Sequence, residues 1–231
     1  MATPTQTTTA RTASNVGADP VVAAGLTFQA GRDVVVHIGA FTSGSSISGV
    51  SIGGTAGSLI ARQKHPDNDT YAESWLIDGV GSDSSDVNVT LSGSGLYVTL
   101  VGREFAGGTF GSIDASAAGG ASGSAQTMDV STAASIANAS SALFATFCCT
   151  TSANPVGFIG ISGYSDVVEQ EDNIDNQGVM VGWLEETTTG VKTASGSQAS
   201  NFPWVGSIGV VALGGPRIPV FVHQLRQQGI A

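Results

Sequence analysis

Four groups of residues in this 231-residue chain have types and spacings that can do chemistry. The first is VSIGGTAGSL (50–59), where Gly53, Gly54 and Gly57 stand with Thr55 and Ser58. Glycine-rich loops hold phosphate when their backbone N–H groups open a helix and a lysine follows the last glycine. Here Gly57 is followed by Ser58 with no lysine, and SLIARQ is short and strand-like. The glycines therefore predict a tight hairpin turn, because two adjacent glycines supply the positive φ such a turn needs.

The second group is HPDNDTYAE (65–73), with His65, Asp67, Asn68, Asp69 and Glu73. Oxygen ligands at alternating positions hold calcium, which makes Asp67, Asp69 and Glu73 the calcium candidates. The order of an EF-hand loop is missing, and Pro66 with the Asn/Asp run fits a solvated loop. The third is DVVEQEDNIDNQ (166–177), with Asp166, Glu169, Glu171, Asp172 and Asp175. A glycosidase uses two carboxylates whose environments push their pKa values apart. These acids crowd one polar segment, so the expectation is an exposed loop between strands, with contact to a metal or a partner as the alternative.

The fourth group is scattered. His37, His65 and His223 have no metal-ligand spacing, and no G-x-S-x-G occurs. Cys148 and Cys149 are adjacent, so on a strand they point to opposite faces and read as two small buried thiols. Trp75, Trp183 and Trp204 are of a type that lines sugar platforms, but each sits in apolar alternation and reads as core. No catalytic set and no cofactor is expected.

The elements that carry these residues are strands. DVVVHIGAF (33–41) is a near-continuous β-branched run, as in a central strand. In DVNVTLSG (86–93), Val87, Val89 and Leu91 alternate with Asn88, Thr90 and Ser92. YAESWLIDGV (71–80), GLYVTLVGREF (95–105), VGFIGISGYS (156–165), GVMVGWLEE (178–186) and WVGSIGVVAL (204–213) continue the pattern. Residues 141–150 read as a strand, and 106–128 as a long loop or weak edge strand. Ten to twelve short strands with no amphipathic helix between them predict an all-β, antiparallel β-sandwich, jelly-roll-like, with extended N- and C-terminal arms. The expected organisation is an N-terminal arm (1–24), a sandwich (25–214) and a C-terminal strand or docking arm (215–231).

Charge narrows the partners. The net charge is −10 and only eight residues are Lys or Arg, scattered along the chain. A nucleic-acid binder or an anionic-membrane binder needs clustered cations, so neither partner is expected. No charged segment precedes an apolar run near Met1, and no stretch of about 18 apolar residues occurs. A protein made in a cytoplasm, without a signal peptide, is the expectation.

The order VVVHIGAF, ISGVSIGGTAGSLI, ESWLIDGV, VNVTLSGSGLYVTLVGREFAG and WVGSIGVVAL resembles the jelly-roll or concanavalin-like sandwich domains of phage virion and bacterial surface proteins. That resemblance implies a fold and a setting, and carries no site residues. It leads to a non-enzymatic phage structural protein located in the virion. The foremost role is capsid decoration (cement), with the major capsid protein or other virion proteins as partners and a homo-oligomer as a further option. Docking would use the C-terminal arm, through Val220, Phe221, Val222 and Leu225. The rival expectation is a tail or receptor-binding component that grips host surface glycan.

Overall fold

A computed structural model describes residues 5–15, 21–23, 27–42, 44–66, 69–83, 86–93, 97–107, 109–150, 157–172 and 177–214, and no helix occurs among them. The first half of the chain forms β1 (Thr5–Asn15), β2 (Val21–Ala23), β3 (Asp33–Phe41), β4 (Ile47–Ile52), β5 (Thr55–Ala56), β6 (Ser58–Lys64), β7 (Thr70–Ile77), β8 (Val87–Leu91) and β9 (Tyr97–Ala106). The second half forms β10 (Phe110–Ile113), β11 (Gly119–Gly123), β12 (Thr127–Ser131), β13 (Ser141–Thr150), β14 (Phe158–Ser162), β15 (Ser165–Asp172), β16 (Gln177–Glu186), β17 (Thr193–Gln198) and β18 (Trp204–Leu213).

The pairing within each half is nested and antiparallel. In the first half β1 pairs with β9, β2 with β8, β3 with β7, and β4 with β5. Strands β3 and β4 then pair again with β9 and β8, which gives the sheets β1-β9-β3-β7-β6 and β2-β8-β4-β5. The second half repeats this scheme: β10 and β11 pair with β18, β12 with β17, and β13 with β16 and β18. Its sheets run β10-β18-β13-β16-β15, with β11 also on β18, and β12-β17-β14. First-with-last nesting of eight strands into two sheets is jelly-roll order. The chain is thus two jelly rolls in tandem, where the sequence pattern alone predicted one sandwich over 25–214.

Four sheets stack in series. Val34, Val36, Ile38 and Ala40 of β3 join Ile47, Val50 and Ile52 of β4 and Val87 and Val89 of β8 in the first core. Leu143, Ala145, Phe147 and Cys149 of β13 join Met128 and Val130 of β12 and Ile161 of β14 in the second. The opposite faces of these central strands meet each other. Val35, Leu76 and Phe105 pack there against Phe110, Phe144, Val211 and Leu213. Period-2 alternation sends successive side chains to opposite faces, so a strand covered on both sides is buried at successive positions. This is why β3, β7 and β18 are buried along nearly their whole length.

The seam between the modules is symmetric in plan. Strand β3 lies against β13, β7 against β18 and β9 against β16, while β6 covers β18 and β15 covers β9. Exchanging the two halves leaves these contacts unchanged, as in an isologous two-fold interface. The axis runs between β3 and β13, where His37 meets Thr146, 109 residues further on. A Cβ on Gly39 would come within 2.8 Å of Cys148 Sγ, a pair with the same separation in sequence.

Several expectations change. Thr5–Asn15, read as an arm, lies along β9 as the edge strand β1 of the first module. The Gly/Ala/Ser-rich stretch 106–128 supplies β10, β11 and the start of β12, paired to β18 and β17. The acidic stretch around 166–175 is no loop for most of its length, because Ser165–Asp172 pairs with β16 as β15. Asp175 and the C-terminal arm residues Val220, Phe221, Val222 and Leu225 lie outside the described residues.

Candidate functional site

The glycine loop is a turn. Gly53 and Gly54 have φ of 55° and 81° between β4 and β5, as a two-residue hairpin requires. Gly57 is the corner where the chain leaves β5, paired with β4, and enters β6, paired with β7. Its N–H donates to Val50 O at 2.7 Å, and a Cβ there would lie 2.6 Å from Ile77 Cδ1. Ser58 opens strand β6, so no helix N-terminus faces this loop.

The calcium candidates are separated by the strand that carries one of them. Asp67 lies outside the described residues. Asp69 sits before β7, pairs with Lys64 at 2.6 Å and accepts from Gly44 N at 2.9 Å. The Lys64 hydrogen bond, then that of Gly44, holds its carboxyl below the usual range. Glu73 is four residues along the strand, about 13 Å at strand rise, and fully buried. Its carboxylate accepts from Arg62 Nε at 2.6 Å and from Trp75 Nε1 at 2.8 Å. Burial pushes the Glu73 carboxyl up, outweighing the Arg62 contact that pulls it down. Among the described residues no three His, Cys, Asp or Glu side chains gather as a metal site.

The remaining groups of catalytic type are built into the seam and the cores. Asp33 is buried, and its carboxylate accepts from Gly79 N at 2.9 Å and from Phe110 N at 3.1 Å, tying β3 to the second module. Arg103 of β9 is fully buried, donating to Gln6 Oε1 at 2.6 Å and to Val181 O of β16 at 3.3 Å. His37 is fully buried with Nδ1 2.8 Å from Thr146 Oγ1. Burial, and next the Arg103 charge, hold its pKa well below 6.5, so the ring is neutral. Cys148 faces the seam and Cys149 the second core, as their adjacency requires. Burial raises the Cys148 thiol to about 12, which removes thiolate chemistry at neutral pH.

Of the acids on β15, Glu169 is the one whose side-chain burial is described. Glu169 is exposed opposite Met180, while Val167 and Val168 pack inward. The tryptophans serve packing. Trp75 and Trp204 are each 6% exposed in the two module cores, and half-buried Trp183 lies edge-on to Phe105 with centroids 5.3 Å apart. The polar seam was not legible beforehand. Its one signal was His37, a polar residue inside an apolar run.

No protein-family model, curated protein or solved structure matches the chain.

Proposed function

We propose that this protein is a non-enzymatic structural component of a virion, a decoration (cement) protein that docks on the major capsid protein or another virion protein. One observation carries the reading. Among the described residues, the buried side chains with the means for acid–base, nucleophilic or metal chemistry include five spent on architecture: His37 on Thr146, Glu73 on Arg62, Asp33 on two backbone amides, and Cys148 and Cys149 on burial. What the fold offers outward is sheet faces and edges on two fused modules, which suits holding neighbours in place. The acidic surface implied by a net charge of −10 suits a partner with a basic face. Trp75 and Trp204 are closed inside the modules, which leaves half-buried Trp183 as the tryptophan the glycan-binding alternative would use.

Docking is assigned to the C-terminal arm, 215–231, with Val220, Phe221, Val222 and Leu225 adding as a strand to an edge on the partner. The test is occupancy on purified particles by mass spectrometry and electron microscopy, for the full chain and for a chain ending at Gly214. The full chain should decorate the shell. The shortened chain should melt at the same temperature and leave the shell bare. Equal occupancy of both chains overturns the docking assignment, and absence of the protein from particles overturns the virion role.

A further inference from the structure

We propose that the seam between the two modules contains a built water-binding site formed by His37, Ser74 and Ser207. All three side chains are fully buried. Their atoms His37 Nε2, Ser74 Oγ and Ser207 Oγ have no hydrogen-bond partner within the protein. Buried polar atoms left this way cost more than an ordinary hydrogen bond returns, so native interiors satisfy them with ordered water.

Strand register brings the three together. His37 stands directly opposite Ser74 across β3 and β7, and Thr146 directly opposite Ser207 across β13 and β18. Residues paired this way on one face have Cβ atoms about 5 Å apart. The His37–Thr146 contact at 2.8 Å joins the two pairs across the seam, and β7 packs on β18, which sets Ser74 on the same side as Ser207. Ala72 and Leu76, the residues flanking Ser74 on its face, are seam residues, as are Val205 and Val211 on the face of Ser207. Both hydroxyls therefore point into the seam.

The chemistry selects water. A neutral imidazole offers one donor and one acceptor nitrogen, and each hydroxyl offers both roles. A water accepts from or donates to either His37 tautomer and still reaches the two serines. Three partners is the usual complement of a buried water. Placed beside the pseudo-two-fold axis, the site fixes how the modules sit: two apolar sheet faces alone would tolerate a slip, whereas a water-bridged polar patch is satisfied in one register only.

A crystal structure at a resolution that shows solvent tests this directly. Density is expected about 3 Å from His37 Nε2 and from at least one serine Oγ. In solution, nuclear Overhauser contacts between the His37 ring and a long-lived water are expected in the wild type. They should be lost in the Ser74→Ala/Ser207→Ala variant and retained in Ser82→Ala, which alters an exposed hydroxyl. A dry seam, direct bonding of His37 Nε2 to a serine, or contacts that persist in the double variant overturns the site. The wild-type measurement decides the matter even where the double variant does not fold.

Discussion

The module cores and the seam are built from the two faces of the same strands, and they differ in chemistry. Even-numbered residues of β3, from Val34 to Ala40, enter a core of aliphatic and aromatic groups. The odd-numbered ones, Val35, His37 and Gly39, face the second module, where Phe144, Thr146 and Cys148 meet them. Along the seam an aromatic end, with Phe105, Phe110, Phe144 and Trp183 edge to face, gives way to a polar centre at His37, Ser74, Thr146 and Ser207. The difference teaches a division of labour. The cores stabilise each jelly roll by apolar burial, while the seam adds burial at one end and positional selection at its centre.

The largest effect is expected at the aromatic end. Phe144→Ala removes a ring that touches Phe105, Phe110 and His37. A loss of about 3–5 kcal/mol is expected, read as a fall in Tm of about 10 °C in a single transition. A split into two transitions, one unshifted, would break the comparison by showing that the seam joins independent domains. Next comes the close contact of β18 with β6. A Cβ on Gly209 would lie 2.4 Å from Ile60 Cγ2, so Gly209→Ala should cost about 1–3 kcal/mol in chemical denaturation. Gly49→Ala, with nothing within 4 Å, is the control and should change little.

A smaller, pH-dependent effect separates the two regions by sign. His37 is held below 6.5, so the unfolded chain binds a proton there before the native one does. The stability this group contributes is present above about pH 6.5 and is lost as pH falls, at about 1.4 kcal/mol per pH unit for one proton. Arg103 faces His37 with a fixed charge, and Ser74, Thr146 and Cys148 are neutral there. Glu73, in the first core, is held above 4.5 and acts oppositely: the native state takes its proton first, so its contribution grows as pH falls. Denaturation midpoints between pH 7 and pH 4 should therefore flatten in His37→Phe and steepen in Glu73→Gln. The same slope in both variants would remove the assignment of either group. The smallest effect is on reactivity: neither Cys148 nor Cys149 should react with a thiol reagent until the protein unfolds, and rapid labelling of either would show that the seam or the second core opens.

The alternation of Val87, Val89 and Leu91 and the run at 33–41 were legible because burial on one or both faces writes itself into residue type. The turn at Gly53 and Gly54 was legible because it depends on local φ alone. The duplication was not, since jelly-roll pairing joins strands distant in sequence and needs only apolar faces, which many residue types supply. Strand β15 was hidden because DVVEQED carries its pattern in two valines, with acids between and around them on an edge strand where Glu169 is exposed. The seam centre was hidden for a related reason: Ser74, Thr146 and Ser207 look like outward residues of half-buried strands until the second sheet covers them. Of the candidate site residues, none signalled that Asp69 and Glu73 would each be taken up by a neighbouring cation.

The central claim is that two jelly rolls of one strand order form a single rigid body through β3 and β13. Native-state hydrogen exchange resolved to single amides measures it most directly. The amides of β3, β7, β13 and β18 should all exchange only through global unfolding, with one common free energy and one common dependence on denaturant. Two distinct free energies, with the strands of one module opening while those of the other stay closed, would contradict it.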